Sequence, residues 1–230
     1  AFTFLLAAGQ ARAEVGESFT EGIFRYTILS EDVPNGSGTV SVVSVPEAEV
    51  IGEIVIPPTV SSGEATYTVT QIGLDAFSWR TMMTSLSIPD TVTEIETWAL
   101  NYCTGLESIV IPDSVTRIGD SSFYYTSTAT NLVIGANVTH IGNSAFSGCT
   151  SLSSITIPDR DQFIPLLRLV LGGIAMRKNV CFDDLDDVQL AVDDLLANRV
   201  PNGGQISMVV RVGGASLDII VEAKVDEDLC

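Results

Sequence analysis

The sequence is poor in basic residues and in histidine. Against 29 acidic side chains, the 230 residues include only 11 lysines and arginines and one histidine, His140, and the net charge is −18. Nucleic acids and anionic membrane surfaces bind proteins through clustered Lys and Arg side chains, and this sequence has no such cluster. We therefore expect no nucleic-acid partner. A single histidine also gives no indication of a Ser-His or Cys-His catalytic pair.

Long apolar runs are missing as well. The apolar run Ala1–Ala8 has eight residues, whereas a membrane span needs about 20, so no membrane insertion is expected. Residues 1–13 instead look like the remnant of a secretory signal, because Ala11-Arg12-Ala13 places small residues before a possible cleavage site. A frayed apolar terminus is the alternative. A cleaved signal predicts an extracellular or cell-surface protein.

The four cysteines are few, and no C-x-x-C motif indicates zinc or redox chemistry. Cys103 and Cys149 occupy the same position two units apart in the repeat described below. With about 4.8 Å per unit, their Cα atoms would be about 10 Å apart, beyond the roughly 7 Å limit for a disulfide. We expect two buried, unpaired thiols. Nothing in the sequence indicates a partner for Cys181 or Cys230.

What the chain has instead is a repeat of 23 residues between Val69 and Pro158. The recurring positions include Ile72, Ile95, Ile118 and Ile141, and also Phe77, Leu100, Phe123 and Phe146. A gapless period in the twenties is typical of a solenoid, in which each unit packs its apolar face on the next. The template V-T-x-I-G-x-x-x-(F/L)…L-x-x-(L/I)-x-I-P resembles the BspA-like class of leucine-rich repeats over about residues 15–158. The resemblance implies a mainly β leucine-rich repeat solenoid.

Two alternating segments before the repeat predict a β-hairpin. Ile23–Leu29 and Thr39–Val45 flank the turn-rich stretch Pro34–Gly38. An open solenoid end would expose apolar core and a free strand edge. We therefore assign residues 14–50 to an N-terminal cap hairpin and 51–158 to the solenoid. The residues Ser61–Tyr67, which interrupt the period, are predicted to form a polar loop.

Alternation within each unit predicts which strand residues face outward. The outward row is Ser87, Val110, Val133 and Thr156. These side chains are small and uncharged, so they supply no metal site and no catalytic group. Such a face suits a protein or glycan ligand, although, taken alone, it is better explained by a stable parallel sheet.

Trp79, Tyr102 and Tyr125 share another repeat position and should stack on successive coils. Aromatic side chains are enriched at recognition surfaces because they bury a large area at little entropic cost. They form a candidate partner-binding row with Val110 and Val133. Simple shielding of the coil corner is the alternative. In a separate row, Glu94 and Arg117 are placed for a cross-coil ion pair.

The repeat pattern ends at Pro158. Residues 161–177 and 183–199 have helical periodicity, and Gln205–Val212 and Ala215–Ala223 alternate around Gly213-Gly214, which predicts a hairpin. The segments 168–175 and 182–194 resemble the front half of an anti-sigma-factor serine kinase, a histidine-kinase-like ATPase. The likeness covers about residues 155–230, and we assign 159–230 to a partial segment of this kind.

The kinase resemblance implies two site residues. Asp194 matches the family's glutamate base and Asn198 its magnesium-holding asparagine in the ATP site. The adenine-binding box and the glycine-rich lid of the family have no counterpart in the sequence, so nucleotide binding is expected to be weak or absent. The aspartates between Asp183 and Asp194 lack the glycine at position 6 and the glutamate at position 12 of an EF-hand calcium loop, and they predict a solvated helix face.

Taken together, the patterns predict a secreted or cell-surface scaffold that binds protein or glycan, without catalysis, cofactor or metal. The alternative is a cytoplasmic regulatory kinase that uses ATP and magnesium, with the repeats as its partner-binding module. The segment Ser154–Pro158 could serve both as the last repeat strand and as the first strand of the tail.

Overall fold

Each repeat contributes short strands to two separate stacks. The structure is a computed structural model that describes residues 14–32, 35–44, 50–158, 163, 165–166, 190, 205–213 and 216–224. Its strands are β1 (Ser18–Glu21), β2 (Phe24–Asp32), β3 (Ser37–Ser44), β4 (Gly52–Val55), β5 (Thr59–Ser62), β6 (Ala65–Ile72), β7 (Met83–Ser87), β8 (Glu94–Ile95), β9 (Ser108–Val110), β10 (Arg117–Ile118), β11 (Asn131–Val133), β12 (His140–Ile141), β13 (Ser154–Pro158), β14 (Gln205–Gly213) and β15 (Ser216–Lys224). One stack has the order β1-β2-β3-β6-β8-β10-β12, and the other contains β4-β7 and β9-β11-β13-β14-β15.

Successive repeats pair in parallel and in register. Arg117 on β10 is paired with Glu94 on β8 and with His140 on β12, and β11 is paired in parallel with β9 and β13. The recurring Ile, Phe and Leu residues point between the two stacks, where Ile95 and Ile118 are fully buried. Each unit therefore completes its core with the next one, as the period predicted.

The threonine of the V-T signature forms hydrogen bonds from each coil to the preceding coil. Thr93, Thr116 and Thr139 each donate a side-chain hydrogen bond, at 3.1–3.3 Å, to the carbonyl oxygen of the residue 23 positions earlier. The backbone N–H groups of the same residues bind the same oxygens at 2.8–2.9 Å. The valines preceding these threonines are buried in the core.

Two left-handed residues bend each coil at its corner. One row has positive φ at Asp75, Trp98, Ser121 and Ser144, and the other at Trp79, Tyr102, Tyr125 and Gly148. A left-handed backbone is unfavourable for L-residues other than glycine, because Cβ approaches the following carbonyl oxygen. The second row is the position of the predicted aromatic row, and only its last member is a glycine.

The N-terminal part contains the predicted hairpin, formed by β2 and β3, and an additional antiparallel strand, β1, that the sequence had not indicated. β3 also pairs in parallel with β6, so the hairpin continues the stack of the repeats.

The prediction of a polar loop at Ser61–Tyr67 was wrong. Those residues belong to a second antiparallel pair, β5 and β6, which turns at Gly63. Tyr67 is buried there, and this burial favours a strand.

The tail joins the repeats through a shared strand. β13 pairs in parallel with β11 and antiparallel with β14, which in turn pairs with β15. The hairpin predicted for Gln205–Ala223 is thus confirmed, and Ile206 and Met208 bury their side chains in the repeat core. The signal-like residues 1–13 and most of the predicted helices 161–177 and 183–199, including Asp194 and Asn198, lie outside the described residues.

Candidate binding surface

The aromatic row predicted from the sequence is a stack of rings, which we call the aromatic ladder (Trp79, Tyr102 and Tyr125). The ring centroids of Trp79 and Tyr102 are 4.0 Å apart, with an interplanar angle of 4°. Tyr102 and Tyr125 stack at 5.2 Å and 17°. Trp79 is 54% exposed and Tyr125 is 45% exposed, while Tyr102 between them is half-buried. The predicted stacking is confirmed.

Backbone hydrogen bonds between coils set the spacing of the ladder. The N–H groups of Trp79, Tyr102 and Tyr125 donate to carbonyl oxygens of the following coil at 2.8–2.9 Å. The left-handed φ values of these residues, 61°, 55° and 57°, turn all three side chains out of the same corner. The backbone therefore holds the rings in register, and they are stacked in the unbound protein.

Tyr124 is a fourth aromatic residue of this site that sequence reasoning missed. Its ring lies edge-on to Tyr102, at 5.7 Å and 70°, and tilted to Tyr125, at 4.9 Å. The equivalent positions in the other units are Ser78, Asn101 and Ser147, so no column of aromatic residues marked it. The only signal was its position beside Tyr125 in the chain.

Gly148 ends the ladder. It has φ +81°, and a Cβ added to it would lie 2.6 Å from Cδ2 of Tyr125. Real Cβ atoms do not approach an aromatic ring that closely, so the Tyr125 ring packs directly against the glycine backbone. The absence of a side chain at Gly148 is therefore a packing requirement as well as a conformational one.

The strand side of the coils shows the predicted alternation. Val110 is 50% exposed, while Ile109 and Ile111 on either side of it are buried. Val133 is half-buried in the next coil. Thr156 is also half-buried and shares a hydrogen bond of 3.0 Å with the hydroxyl of Ser207. The outward row thus continues from the repeats onto the tail hairpin.

Charge is nearly absent from this side of the repeats. We call the segments 78–87, 101–110, 124–133 and 147–156 the neutral face, and their only charged residues are Arg80 and Glu107. Arg80 folds back to donate a hydrogen bond of 2.7 Å to the carbonyl oxygen of Ser78. An aromatic, hydroxyl-rich and almost uncharged surface is unusual on a chain of net charge −18. Depletion of charge together with enrichment of Tyr and Trp is typical of the centres of protein interfaces.

The opposite side of the corner carries the ion pair predicted from the sequence. Arg117 Nη1 lies 3.0 Å from Glu94 Oε1, which confirms the predicted ion pair. Gln71 Nε2 donates to Glu94 at 3.1 Å and to Glu96 at 2.7 Å. The Arg117 side chain is 59% exposed, and exposed pairs of this kind contribute about 0–1 kcal/mol. His140, the next residue in the row, is also exposed.

Neither buried thiol is suited to nucleophilic chemistry. Cys103 and Cys149 are free and buried, as predicted, and each thiol donates to a carbonyl oxygen, that of Phe77 at 3.1 Å and of Phe123 at 3.2 Å. Desolvation by burial raises the pKa of both thiols to about 12. The reactive thiolate is therefore disfavoured at neutral pH. Among the described residues, no group of three His, Cys, Asp or Glu side chains is placed to bind a metal.

Comparison with known families assigns the repeats. Residues 59–165 match the BspA type leucine rich repeat region in six copies. The repeats of this segment are therefore similar to those of that family, and the match covers slightly less than half of the chain. A solved leucine-rich repeat protein from Bacteroides capillosus has the same fold, at 22% identity over 60% of this chain and 96% of that chain, with a TM-score of 0.51. Another from Bacteroides ovatus is 30% identical over 61% of this chain and 41% of that chain, with a TM-score of 0.47.

A second similarity concerns the kinase resemblance of the tail. The serine-protein kinase RsbW of Bacillus velezensis is 31% identical over 71 residues, which are 28% of this chain and 44% of the kinase. The kinase of the same name from Halalkalibacterium halodurans is 30% identical over 71 residues, 29% of this chain and 44% of that protein. The resemblance is confirmed, but the chain spans less than half the length of these relatives. In the part of the chain that the structure describes, no helical segment has the length and apolar character of a membrane span.

Proposed function

We propose that this protein is a binding scaffold whose partner is a protein, and that the aromatic ladder together with the neutral face is the contact surface. The observation that carries the proposal is the aromatic ladder itself, with three large rings on left-handed backbone at a position where the fourth coil has glycine. Strained residues of this kind persist where the surrounding structure holds them in place, and they cluster at functional sites.

Stability alone does not account for the ladder. Each left-handed L-residue costs about 1–2 kcal/mol, and three ladder residues carry that cost. Each stacked pair contributes about 0.5–1.5 kcal/mol beyond the area it buries, and the ladder has two such pairs. The exposure of Trp79 and Tyr125 limits the additional hydrophobic gain. The strain, about 3–6 kcal/mol in total, therefore exceeds the stacking, about 1–3 kcal/mol, which favours a role in binding over a role in folding.

The stacking geometry favours a protein partner over a glycan. Sugars pack on the open faces of aromatic rings, whereas both faces of Tyr102 are occupied by Trp79 and Tyr125. What the ladder presents along the corner is a row of ring edges beside Ser, Thr and Asn side chains. Surfaces rich in Tyr, Trp, Ser and Asn are typical of protein-binding paratopes, in which rigid aromatic anchors are combined with adaptable hydrogen-bonding groups.

We place this binding function outside the cell or at its surface. The signal-like residues 1–13 support that placement, since an apolar stretch precedes Ala11-Arg12-Ala13. Fractionation of the native host into cytoplasm, envelope and medium, followed by immunoblotting, tests it directly. Recovery in the cytoplasm alone would contradict the placement without affecting the proposed contact surface.

The binding proposal is tested by screening the labelled chain against arrays of purified extracellular proteins and of glycans. Tyr102→Gly removes the central ring and relieves its backbone strain, and Trp98→Gly is the matched control. Trp98 is also an exposed aromatic residue on a left-handed backbone, but it lies outside the ladder. We expect protein ligands that bind the wild type and Trp98→Gly but not Tyr102→Gly. Ligands confined to the glycan array, or unaffected by Tyr102→Gly, would refute the proposal.

A second candidate function follows from the similarity to RsbW, a serine-protein kinase by name. In this case the tail would bind ATP and magnesium, with Asp194 as the base and Asn198 near the metal, in a cytoplasmic protein. Calorimetric titration of the full chain with ATP and magnesium tests this function. Micromolar binding that is lost in Asn198→Ala would favour the kinase-like role, and no heat at millimolar ATP would exclude it.

A further inference from the structure

A second apolar cluster lies at the N-terminal end of the neutral face. Ile51, Val55 and Met82 are 63%, 58% and 62% exposed. β4 alternates like the repeat strands, so Ile54 and Ile56 point into the core at 5% and 1% exposure while Ile51 and Val55 point outward. Exposed apolar side chains that occur singly need no explanation, but a contiguous group of them marks an interaction site.

Backbone pairing places Ile51 and Met82 at one end of β4 and Val55 at the other. The N–H of Gly52 donates to the carbonyl oxygen of Met82 at 2.9 Å, which places Ile51 beside Met82. Val55 is paired with Ser87 and so extends the outward row of the strands by one coil. Met82 also follows Trp79 within the same corner, where the N–H of Thr81 donates to the carbonyl oxygen of Trp79 at 2.9 Å. The cluster is thus continuous with the first ring of the aromatic ladder.

Most of the exposed large apolar side chains that the structure describes lie on one surface, the neutral face and the strand β4 beside it. The described residues include eleven exposed large hydrophobic side chains, and six of them lie on the neutral face or on β4 beside it. These six are Ile51, Val55, Trp79, Met82, Val110 and Tyr125. Four of the six belong to the first two coils, so the exposed apolar side chains are concentrated at one end of this surface.

We infer that Ile51, Val55 and Met82, together with Trp79, form an apolar anchor for a partner protein whose apolar side chains flank a basic residue. This inference rests on the proposed function and names the partner's chemistry. The apolar side chains complement the anchor. The basic residue complements Glu53, which is exposed between Ile51 and Val55, and also suits a chain of net charge −18. A second copy of the chain fits poorly, because a twofold contact on the anchor would bring Glu53 close to its own symmetry mate.

Random displayed peptides selected on the full chain serve as the probe. The variants Val55→Lys and Met82→Lys put charge into the anchor, and both residues are exposed, so folding should be retained. Leu74→Lys is the matched control, because Leu74 is 52% exposed but lies beside Glu94 and Arg117, away from the anchor. We expect the selected peptides to combine apolar and basic residues and to bind Val55→Lys and Met82→Lys at least about tenfold more weakly. Binding to Leu74→Lys should be unchanged.

The outcomes separate the anchor from the ladder. Peptides that lose binding to Tyr102→Gly but not to Val55→Lys or Met82→Lys would overturn the anchor and leave the ladder intact. The reverse result would support the anchor and count against the ladder. Acidic peptides, equal loss in Leu74→Lys, or failure to select any peptide would each refute the anchor. Light scattering that shows a wild-type dimer and a Met82→Lys monomer would instead identify the occupant as a second copy.

Discussion

Trp79 and Tyr102 stack with their ring centroids 4.0 Å apart and their planes 4° from parallel, although both residues have a left-handed backbone. The parallel alignment follows from the repeat, because successive coils place equivalent side chains about one strand spacing apart, roughly 4.8 Å. A column of any flat side chain in this position would stack in the same way. In this chain three coils have an aromatic residue at this position and the fourth has glycine, Gly148.

The ladder can be tested separately from the fold by removing its central ring. Tyr102→Gly loses two stacked contacts but also removes a strained left-handed residue, so we expect the melting temperature to change little. Tyr102→Ala keeps the strain and loses the ring, and should be less stable than Tyr102→Gly by about 1 kcal/mol. Urea unfolding of the two variants measures the difference. If Tyr102→Gly is the less stable of the two, the backbone at this position is not strained, whereas a large loss of stability in both variants relative to the wild type would show that the ring is structural.

Gly148 should be intolerant of even a methyl group. A Cβ at Gly148 would lie 2.6 Å from the Tyr125 ring, and its φ is +81°. Gly63 has a comparable φ of +61° but open space around it, so Gly63→Ala measures the conformational cost alone, about 1 kcal/mol. We expect Gly148→Ala to cost about 1–3 kcal/mol more than Gly63→Ala in urea unfolding, owing to overpacking. Equal losses would mean that the ring moves aside freely.

The buried thiols predict a loss of stability at alkaline pH. Burial raises the folded-state pKa of Cys103 and Cys149 from 9.0 to about 12. Above pH 9 the unfolded chain releases these protons and the folded chain does not. Their contribution is thus fully present below about pH 9 and lost as the pH rises towards 12.

A Cys103→Thr, Cys149→Thr double variant provides the control. Thr126 occupies the same repeat position and donates to the Leu100 carbonyl oxygen as the thiols do to theirs, so threonine should fit. We expect the wild type to lose more stability than this variant between about pH 8 and pH 11 in urea unfolding. Parallel losses would show that the thiols are not protected in the folded state.

The repeat core could be predicted because a fixed period constrains every unit at once. Ile95 and Ile118 are buried, and Glu94 meets Arg117 in register, as the 23-residue spacing requires. The aromatic ladder was also predicted, since its three residues share one repeat position. The left-handed backbone of that position could have been suspected from Gly148, its fourth member.

Features outside the period were not predictable in the same way. Tyr124 has no aromatic equivalent in the other coils, and the apolar anchor depends on β4, which lies beyond the interruption of the period. The polar composition of Ser61–Tyr67 indicated a loop, but pairing of β5 with β6 and burial of Tyr67 outweigh that local preference. Tertiary contacts decide such segments, and they are not visible in a short stretch of sequence.

The shared strand β13 leads to the last prediction, which concerns whether the tail is part of the folded unit. Met208 on β14 is fully buried, and its strand neighbour Val209 is only half-buried. If the hairpin completes the core of the last coil, Met208→Ala should destabilise the whole repeat region by about 2–4 kcal/mol, and Val209→Ala by less than about 1 kcal/mol. Hydrogen exchange of the β11 and β13 amides reports on the repeats directly. Unchanged protection of those amides in Met208→Ala would mean that the tail is attached to the repeats without stabilising them.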